Sequence, residues 1–506
     1  MIWRVSLMGL MLCATVCADS VQGEWILRRE SSVSWDSTRG RLNAHFKWLR
    51  FFGPEKQFAL VRQRSFPLKK FLLPKGVEIQ PNYVYRAFDQ KNPELDKSWG
   101  LQNIGKNPGV GQEGIPGVDV NAIEAWKAQG TGIGAMVAVL DSGVDTAHED
   151  LQKNVVKGWN FINDTSDVRD DNGHGTRVAG VIAADADNGR GSRGVSNGPL
   201  LIVKMLDDQG HGTTESVVRG LQYALEKGAK IVNMSWGGSA YDPVFYEMVK
   251  GAKQTLFITA SGNTADDIDV KESAVYPSSF RLVNVLSVSA YDNRDRLASF
   301  SNFGKETVHL GAPGMGIYST KPGGYGFSDG TSYAAPFVAG TAALVWGALP
   351  SLSVESIKKR LLKTSEPIGY YEKEFLASGG RVNAYNALVN FEPVRPKSPT
   401  TWVTHKTALG TPHPYLNNFK DTYYVTSPGA THLRVHFSRF QLESKYDHLT
   451  IRDGKGRFVQ RYTGDLGAFT SADVLGDSLT LEFKADNNSP DWGFEIDAFE
   501  VPIDFR

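Results

Sequence analysis

Three short segments carry the residue types that acyl transfer requires. Asp141-Ser142-Gly143 closes an apolar run. Asn172-Gly173-His174-Gly175-Thr176 leads into Arg177-Val178-Ala179-Gly180. Gly330-Thr331-Ser332-Tyr333-Ala334-Ala335-Pro336 leads into an Ala- and Gly-rich apolar stretch. A hydroxyl is a weak nucleophile at neutral pH. It needs an imidazole to take its proton and a carboxylate to hold that imidazole in one orientation. Ser332, His174 and Asp141 supply one of each. Alone, an Asp-Ser-Gly is usually a turn and a Gly-Thr-Ser is usually a helix start. The combination in one chain, in the order Asp, His, Ser, is the informative observation.

The surrounding pattern predicts elements able to position these groups. Ala135–Leu140 is fully apolar and ends at Asp141. Leu200–Met205 is apolar but for Lys204. Lys230–Met234 and Leu256–Ala260 are further strand candidates, and Ser216–Lys230 has helical spacing with Val217, Val218, Leu221, Ala224 and Leu225 on one side. Alternating strands and helices predict a parallel sheet covered on both faces, with its working site at the carboxyl ends of the strands. Asp141 and Asn263 both fall just past such ends. Ser332 opens a predicted helix, whose first amides favour developing negative charge. A helical pattern also follows His174.

The 506 residues suit several domains. Lys+Arg and Asp+Glu are both 55, so no basic excess points to nucleic acid. The only cysteines are Cys13 and Cys17, which excludes a disulfide scaffold and a cysteine-based zinc module. Arg4, the apolar stretch Val5–Cys17 and the short side chains of Val16-Cys17-Ala18 read as a signal peptide cut after Ala18. That predicts a secreted or periplasmic protein with no membrane span. Residues 19–88 mix basic and aromatic residues around the strand-like Trp25-Ile26-Leu27 and Phe58–Val61, a small α+β unit. Residues 89–391 hold the alternating pattern, and the Pro-rich 392–401 reads as a stiff linker. Residues 402–506 switch to period two, as in Leu433–Phe437 and Leu479–Phe483, which predicts an all-β sandwich.

The three segments resemble the signature blocks of subtilisin-like serine peptidases, the subtilases, which use this chain order. The resemblance implies the subtilisin-like α/β fold and a serine endopeptidase acting on proteins or peptides. Ser332 would be the nucleophile, His174 the general base and then acid, and Asp141 its orienting partner. Ala260-Ser261-Gly262-Asn263 resembles the segment supplying the oxyanion-hole amide, here Asn263. Ser235, Trp236 and Gly237 resemble the strand against which an extended peptide adds. The following loop, Thr264–Tyr276, carries Asp266, Asp267, Asp269 and Glu272. This reads either as a preference for basic side chains or as a solvated acidic loop.

The same resemblance implies structural calcium, with Asn92, Asp150 and Asn188 at the matching positions. Asn92 stands where the family often has Asp, which removes one charge from the site. Residues 19–88 resemble an inhibitory pro-domain, so the chain's own N-terminal region would be an intramolecular inhibitor, removed by a cut between Tyr85 and Asp96. Residues 402–506 resemble a CUB domain without cysteines. In some CUB domains three acids bind calcium, and Glu443, Asp447 and Asp486 match them. A competing reading makes this β module the active part of a binding protein.

Overall fold

The computed structural model describes residues 20–52, 58–64, 73–83, 94–107, 109–129, 134–186, 188–369, 374–395 and 397–503. The chain divides into two compact units, Met1–Gln90 and Lys91–Arg506. The proposed leader, the cut region as far as residue 93, and Asn92 with it, lie outside the described residues.

In the first unit, strands β1 (Ser20–Arg29), β2 (Phe46–Phe52), β3 (Phe58–Gln63) and β4 (Val77–Tyr83) form an antiparallel sheet in the order β2-β3-β1-β4. Helix α1 (Trp35–Leu42) starts at Ser34, whose hydroxyl caps the Asp36 amide. It buries Trp35 and Leu42 with Leu27, Phe46, Ala59 and Val61. The expected strands at Trp25–Leu27 and Phe58–Val61 are parts of β1 and β3.

The second unit is built on a nine-stranded sheet. It contains β5 (Val137–Asp141), β6 (Val155–Asn160), β7 (Leu200–Lys204), β8 (Ile231–Met234), β9 (Leu256–Ala260), β10 (Val285–Tyr291) and β11 (Leu310–Pro313). The order β11-β10-β9-β8-β5-β7-β6 is parallel throughout. All residues of β5, β7, β8 and β9 are buried. That is why these strands are mostly apolar, with buried exceptions such as Lys204 and Asn233: helices cover both faces. Asp141 is the last residue of β5, and Asn263 lies three residues past β9.

Helix α2 (Ala122–Gln129) precedes β5, and α3 begins at His174 and runs to Ala183. Helix α4 (Thr214–Glu226) covers the stretch with helical spacing, and α5 (Pro243–Gly251) follows β8. Helix α6 (Thr331–Ala348) begins one residue before Ser332 and is buried along most of its length. Pro336 sits inside it. A proline has no N–H for the carbonyl four residues back, which here is that of Ser332. Ser235 Oγ donates to this freed carbonyl at 2.7 Å, so the sequence irregularity becomes a tie between α6 and the segment after β8. Among the described residues, no helix is long and apolar enough to cross a membrane.

The C-terminal region is all β. One sheet contains β12 (Trp402–Gly410), β18 (Gly493–Pro502) and β14 (His432–Gln441). The other runs β13 (Lys420–Thr426), β17 (Ser478–Lys484), β15 (His448–Asp453), β16 (Phe458–Tyr462). Leu433, Val435 and Phe437 and then Leu479, Leu481 and Phe483 point into one core, as period two requires. The described residues of the 392–401 segment have no regular structure, yet they are not a free spacer. Arg395 donates to the Leu362 carbonyl at 3.1 Å and the Ser365 carbonyl at 2.9 Å, and also to that of Ser378. The β domain also packs directly on the α/β domain: Phe458 stacks on Phe375 at 5.4 Å.

Candidate active site

The strand end of β5 and the first turn of α3 bring two of the three expected groups together. His174 Nδ1 lies 2.8 Å from Asp141 Oδ1. Asp141 is fully buried, and the Ser142 amide donates to the same oxygen at 2.8 Å. Burial disfavours a charged His174, but the Asp141 carboxylate and then Asp170 outweigh it and raise the imidazole above its usual pKa. The ring also lies 5.6 Å from that of Tyr333.

Two residues that sequence reasoning passed over hold this corner in place. Asp170 accepts from the Ser142 hydroxyl (2.8 Å), the amides of Asn172 (3.1 Å), Gly173 (2.7 Å) and Thr176 (2.9 Å), and the Thr176 hydroxyl (2.5 Å). It thereby satisfies amides that the N-terminus of α3 leaves without intrahelical partners. Lys204 is 2% exposed. Its ammonium donates to the carbonyls of Ser142 (2.6 Å) and Leu206 (3.0 Å) and pairs with Asp171 at 2.6 Å. A single cation in an apolar strand, and an Asp-Asp pair directly before the His segment, were the available signals.

Ser332 does not hydrogen-bond to His174. Its Oγ donates to the Ser235 carbonyl at 2.8 Å, while Ser235 Oγ donates back to the Ser332 carbonyl. Asn263 Oδ1 accepts from the Thr331 amide and hydroxyl, both at 2.9 Å. With its oxygen so engaged at the start of α6, the Asn263 amide nitrogen is the group left for a ligand beside Ser332. Gly262 precedes it at φ +107, and a Cβ there would come within 2.5 Å of Asn302 Nδ2. That position therefore requires glycine.

Residues 235–238 leave β8 extended and pair with Tyr276: Gly238 N donates to the Tyr276 carbonyl at 2.9 Å, and Tyr276 N returns the bond at 2.8 Å. Trp236 is turned inward. Its indole N–H donates to the Leu140 carbonyl at 2.8 Å and its ring stacks on Phe245. Residue 236 can thus offer a substrate its main chain and not its indole. Two acids of the following loop are engaged within the fold. Asp269 accepts from the amides of Glu306 and Thr307, both at 2.8 Å, and Asp267 accepts from the Asp269 amide at 3.0 Å. Asp267 and Asp269, with Glu272, line a groove of about 1070 Å³ against the β domain.

Two places carry the residues expected to bind calcium. Asp150 is fully buried, with Oδ2 lacking a hydrogen bond and Oδ1 2.5 Å from the Asn188 side-chain amide. Asp185 N donates to the Asp150 carbonyl at 2.7 Å, which folds the 185–192 loop over it. In the β domain, Glu443, Asp447 and Asp486 each bring an oxygen within 4.8 Å of the others. Glu443 Oε2 is buried without a partner, and burial followed by the charges of Asp486 and Asp447 raises its pKa. Asp447 is fixed by the Tyr415 hydroxyl and by the Asp486 amide at 2.7 Å. The β-domain set fits calcium chemistry, whereas at Asp150 the Asn188 side chain presents its NH2 and its oxygen accepts from the Arg190 amide at 2.9 Å.

Residues 132–395 match the subtilase family model, and residues 400–497 match the CUB domain model. The chain is similar to thermitase of Thermoactinomyces vulgaris, at 35% identity over 53% of this chain and 93% of the relative. It is also similar to subtilisin DY of Bacillus licheniformis, at 35% identity over 51% and 94%. Among solved structures, a protease from Pseudoalteromonas arctica matches with a TM-score of 0.50 and 28% identity, covering 59% of this chain and 98% of that one. A strand-end carboxylate bonded to a helix-initial imidazole, beside a serine that opens a buried helix, is thus embedded in the fold of known serine proteases. The chain belongs to the subtilase family and is a subtilisin-like serine protease with a C-terminal CUB domain.

Proposed function

We propose that the chain is a secreted endopeptidase, made as a self-inhibited precursor, which cleaves peptide bonds through an acyl-enzyme on Ser332. The observation that carries the catalytic part is the 2.8 Å bond between His174 Nδ1 and a buried Asp141 carboxylate. That bond fixes the tautomer and leaves His174 Nε2 to act as base. Ser332 turns from the Ser235 carbonyl toward Nε2, gives up its proton and attacks the substrate carbonyl. The Asn263 amide and the Ser332 N–H donate to the resulting oxyanion. His174, now charged beside Asp141, returns the proton to the leaving amine. Water then repeats the sequence on the ester and frees the acid product. Main chain at Ser235, Trp236 and Gly237 pairs with the substrate strand.

The proposed leader and the compact α+β fold of the described part of residues 19–88 support the precursor reading. A tethered inhibitor acts at high effective concentration, so modest intrinsic affinity suffices. Glu443, Asp447 and Asp486 would hold one structural calcium, and Asp150 a second once the Asn188 amide turns its oxygen toward the ion. No catalytic step uses either. Mass spectrometry of wild type beside Ser332→Ala tests the whole reading. Wild type should lose its N-terminal region and the variant keep it. Wild type that stays full length and is not labelled by a fluorophosphonate would overturn the reading.

A further inference from the structure

The segment carrying Asn263 is held from one side by residues 300–303. Asn302 is fully buried and makes most of the ties. Its Oδ1 accepts from the amides of Thr264 (2.9 Å) and Asp266 (3.0 Å) and from the Thr264 hydroxyl. Its Nδ2 donates to the Ser261 carbonyl at 3.0 Å, and its main-chain N–H to that of Gly262 at 3.0 Å. Ala265 N donates to Phe300 O, Phe303 N to Asp266 O, and Ile268 N to Phe303 O. The segment around Asn263 is therefore positioned by residues 300–303.

That second segment leans on the β domain. Phe303 and Phe375 are each 4% exposed and meet edge to face at 5.5 Å. Phe458, on β16, completes the cluster: it stacks on Phe375 at 5.4 Å and 18°, and meets Phe303 edge-on at 6.4 Å. Beside these rings is an interdomain cavity of about 540 Å³, bounded by Ala265 and Ser301 on one side and Phe458 and Arg461 on the other. The rings bridge the two domains beside this opening, next to the 300–303 segment.

We infer that Phe458 of the CUB domain is a positioning residue for Asn263, acting through Phe303 and Asn302, so that the C-terminal domain sets the geometry of the oxyanion hole. The inference rests on the reading of Asn263 as the oxyanion donor. Such donors must lie about 2.7–3.1 Å from the developing charge, and a displacement of about 1 Å can cost about a hundredfold in rate. A partial shift predicts a fall in kcat of about three- to thirtyfold for Phe458→Ala. KM should stay within about twofold, because the loss is confined to the transition state.

The test uses the full chain, purified active and with its active sites counted by a fluorophosphonate, so that misfolded protein is excluded. Steady-state kcat and KM on a chromogenic peptide are measured for Phe458→Ala, Phe458→Tyr, Asn263→Ala and the Phe458→Ala/Asn263→Ala double variant. The brace predicts that Phe458→Ala lowers kcat and Phe458→Tyr restores it. It also predicts a double variant no slower than Asn263→Ala, since a missing donor cannot be misplaced. An unchanged kcat in Phe458→Ala, with Asn263→Ala slow, overturns the brace alone. So does a double variant in which the two losses multiply. An unchanged kcat in Asn263→Ala overturns the oxyanion reading itself.

Discussion

Replacing Asp170 by Asn tests the claim that this side chain holds His174 in place. The variant keeps the shape but turns one acceptor oxygen into a donor NH2. Three donors converge on Oδ1 and two, both from Thr176, on Oδ2. The NH2 therefore settles on the Thr176 side. The Thr176 hydroxyl can turn round to accept, but its amide cannot, and Thr176 is fully buried. One charge-assisted bond is lost and one buried N–H is orphaned, for a total of about 2–4 kcal/mol. Urea unfolding measures this in a Ser332→Ala background, where self-digestion is absent. The midpoint should fall at unchanged slope. The charge effect is separate. Asp170 is one of the groups raising the His174 pKa, so its removal lowers that pKa. The base must be neutral to act, so the acid limb of kcat/KM moves to lower pH. An unchanged midpoint together with an unmoved or upward-shifted limb would refute the reasoning.

Asn263→Ala should lower kcat by about 10²–10³-fold with little change in KM in peptide kinetics, the range that subtilisin itself gives for loss of such a donor. Burial, reinforced by Asp269 and Asp266, raises Asp267 to about 7. Its folded pKa lies above its unfolded one, so stability falls as pH rises from about 4 to about 7, by at most about 4 kcal/mol. Asp267→Asn should flatten that slope in urea midpoints taken across the range. Chelation should lower thermal stability and leave kcat at low temperature unchanged. Asp150→Asn and Glu443→Gln should each remove part of the chelator's effect in calorimetry, which separates the two calcium sites.

The parts of this fold that were legible are those where one local pattern has one physical cause. Strands β5, β8 and β9 are buried on both faces, so their residues are mostly apolar, Asn233 and Thr259 being buried exceptions, and their ends mark the site. The CUB domain alternates because each of its sheets buries one face. What escaped is long-range. Nothing local distinguishes Asn302 from a turn asparagine, yet it binds a segment some forty residues earlier. The acidic loop was left open between two readings because composition alone does not show which face an acid occupies. Asp269 is engaged by the amides of Glu306 and Thr307, far along the chain. Trp236 was correctly placed on the segment after β8, but the direction of its indole depends on the carbonyl of Leu140, on a neighbouring strand.

The inward turn of Ser332 does not count against a working triad, and the magnitudes show why. Leaving the Ser235 carbonyl gives up one neutral hydrogen bond, worth about 0.5–1.5 kcal/mol net. A turnover of about 1–10³ s⁻¹ corresponds to a barrier of about 13–17 kcal/mol. The reorientation is a minor fraction of that, and the bond formed to His174 Nε2 offsets most of it. The Ser235 hydroxyl, by contrast, must stay where it is. It caps the Ser332 carbonyl that Pro336 leaves without a helical partner, and an uncapped carbonyl at this point would sit directly behind the nucleophile. Ser235 therefore links two requirements. In the proposed mechanism its main chain borders the substrate strand, and its side chain keeps the first turn of α6 intact beneath Ser332. Ser235→Ala should then loosen the nucleophile's own turn, lowering kcat as well as raising KM, whereas a residue that only bordered substrate would raise KM alone.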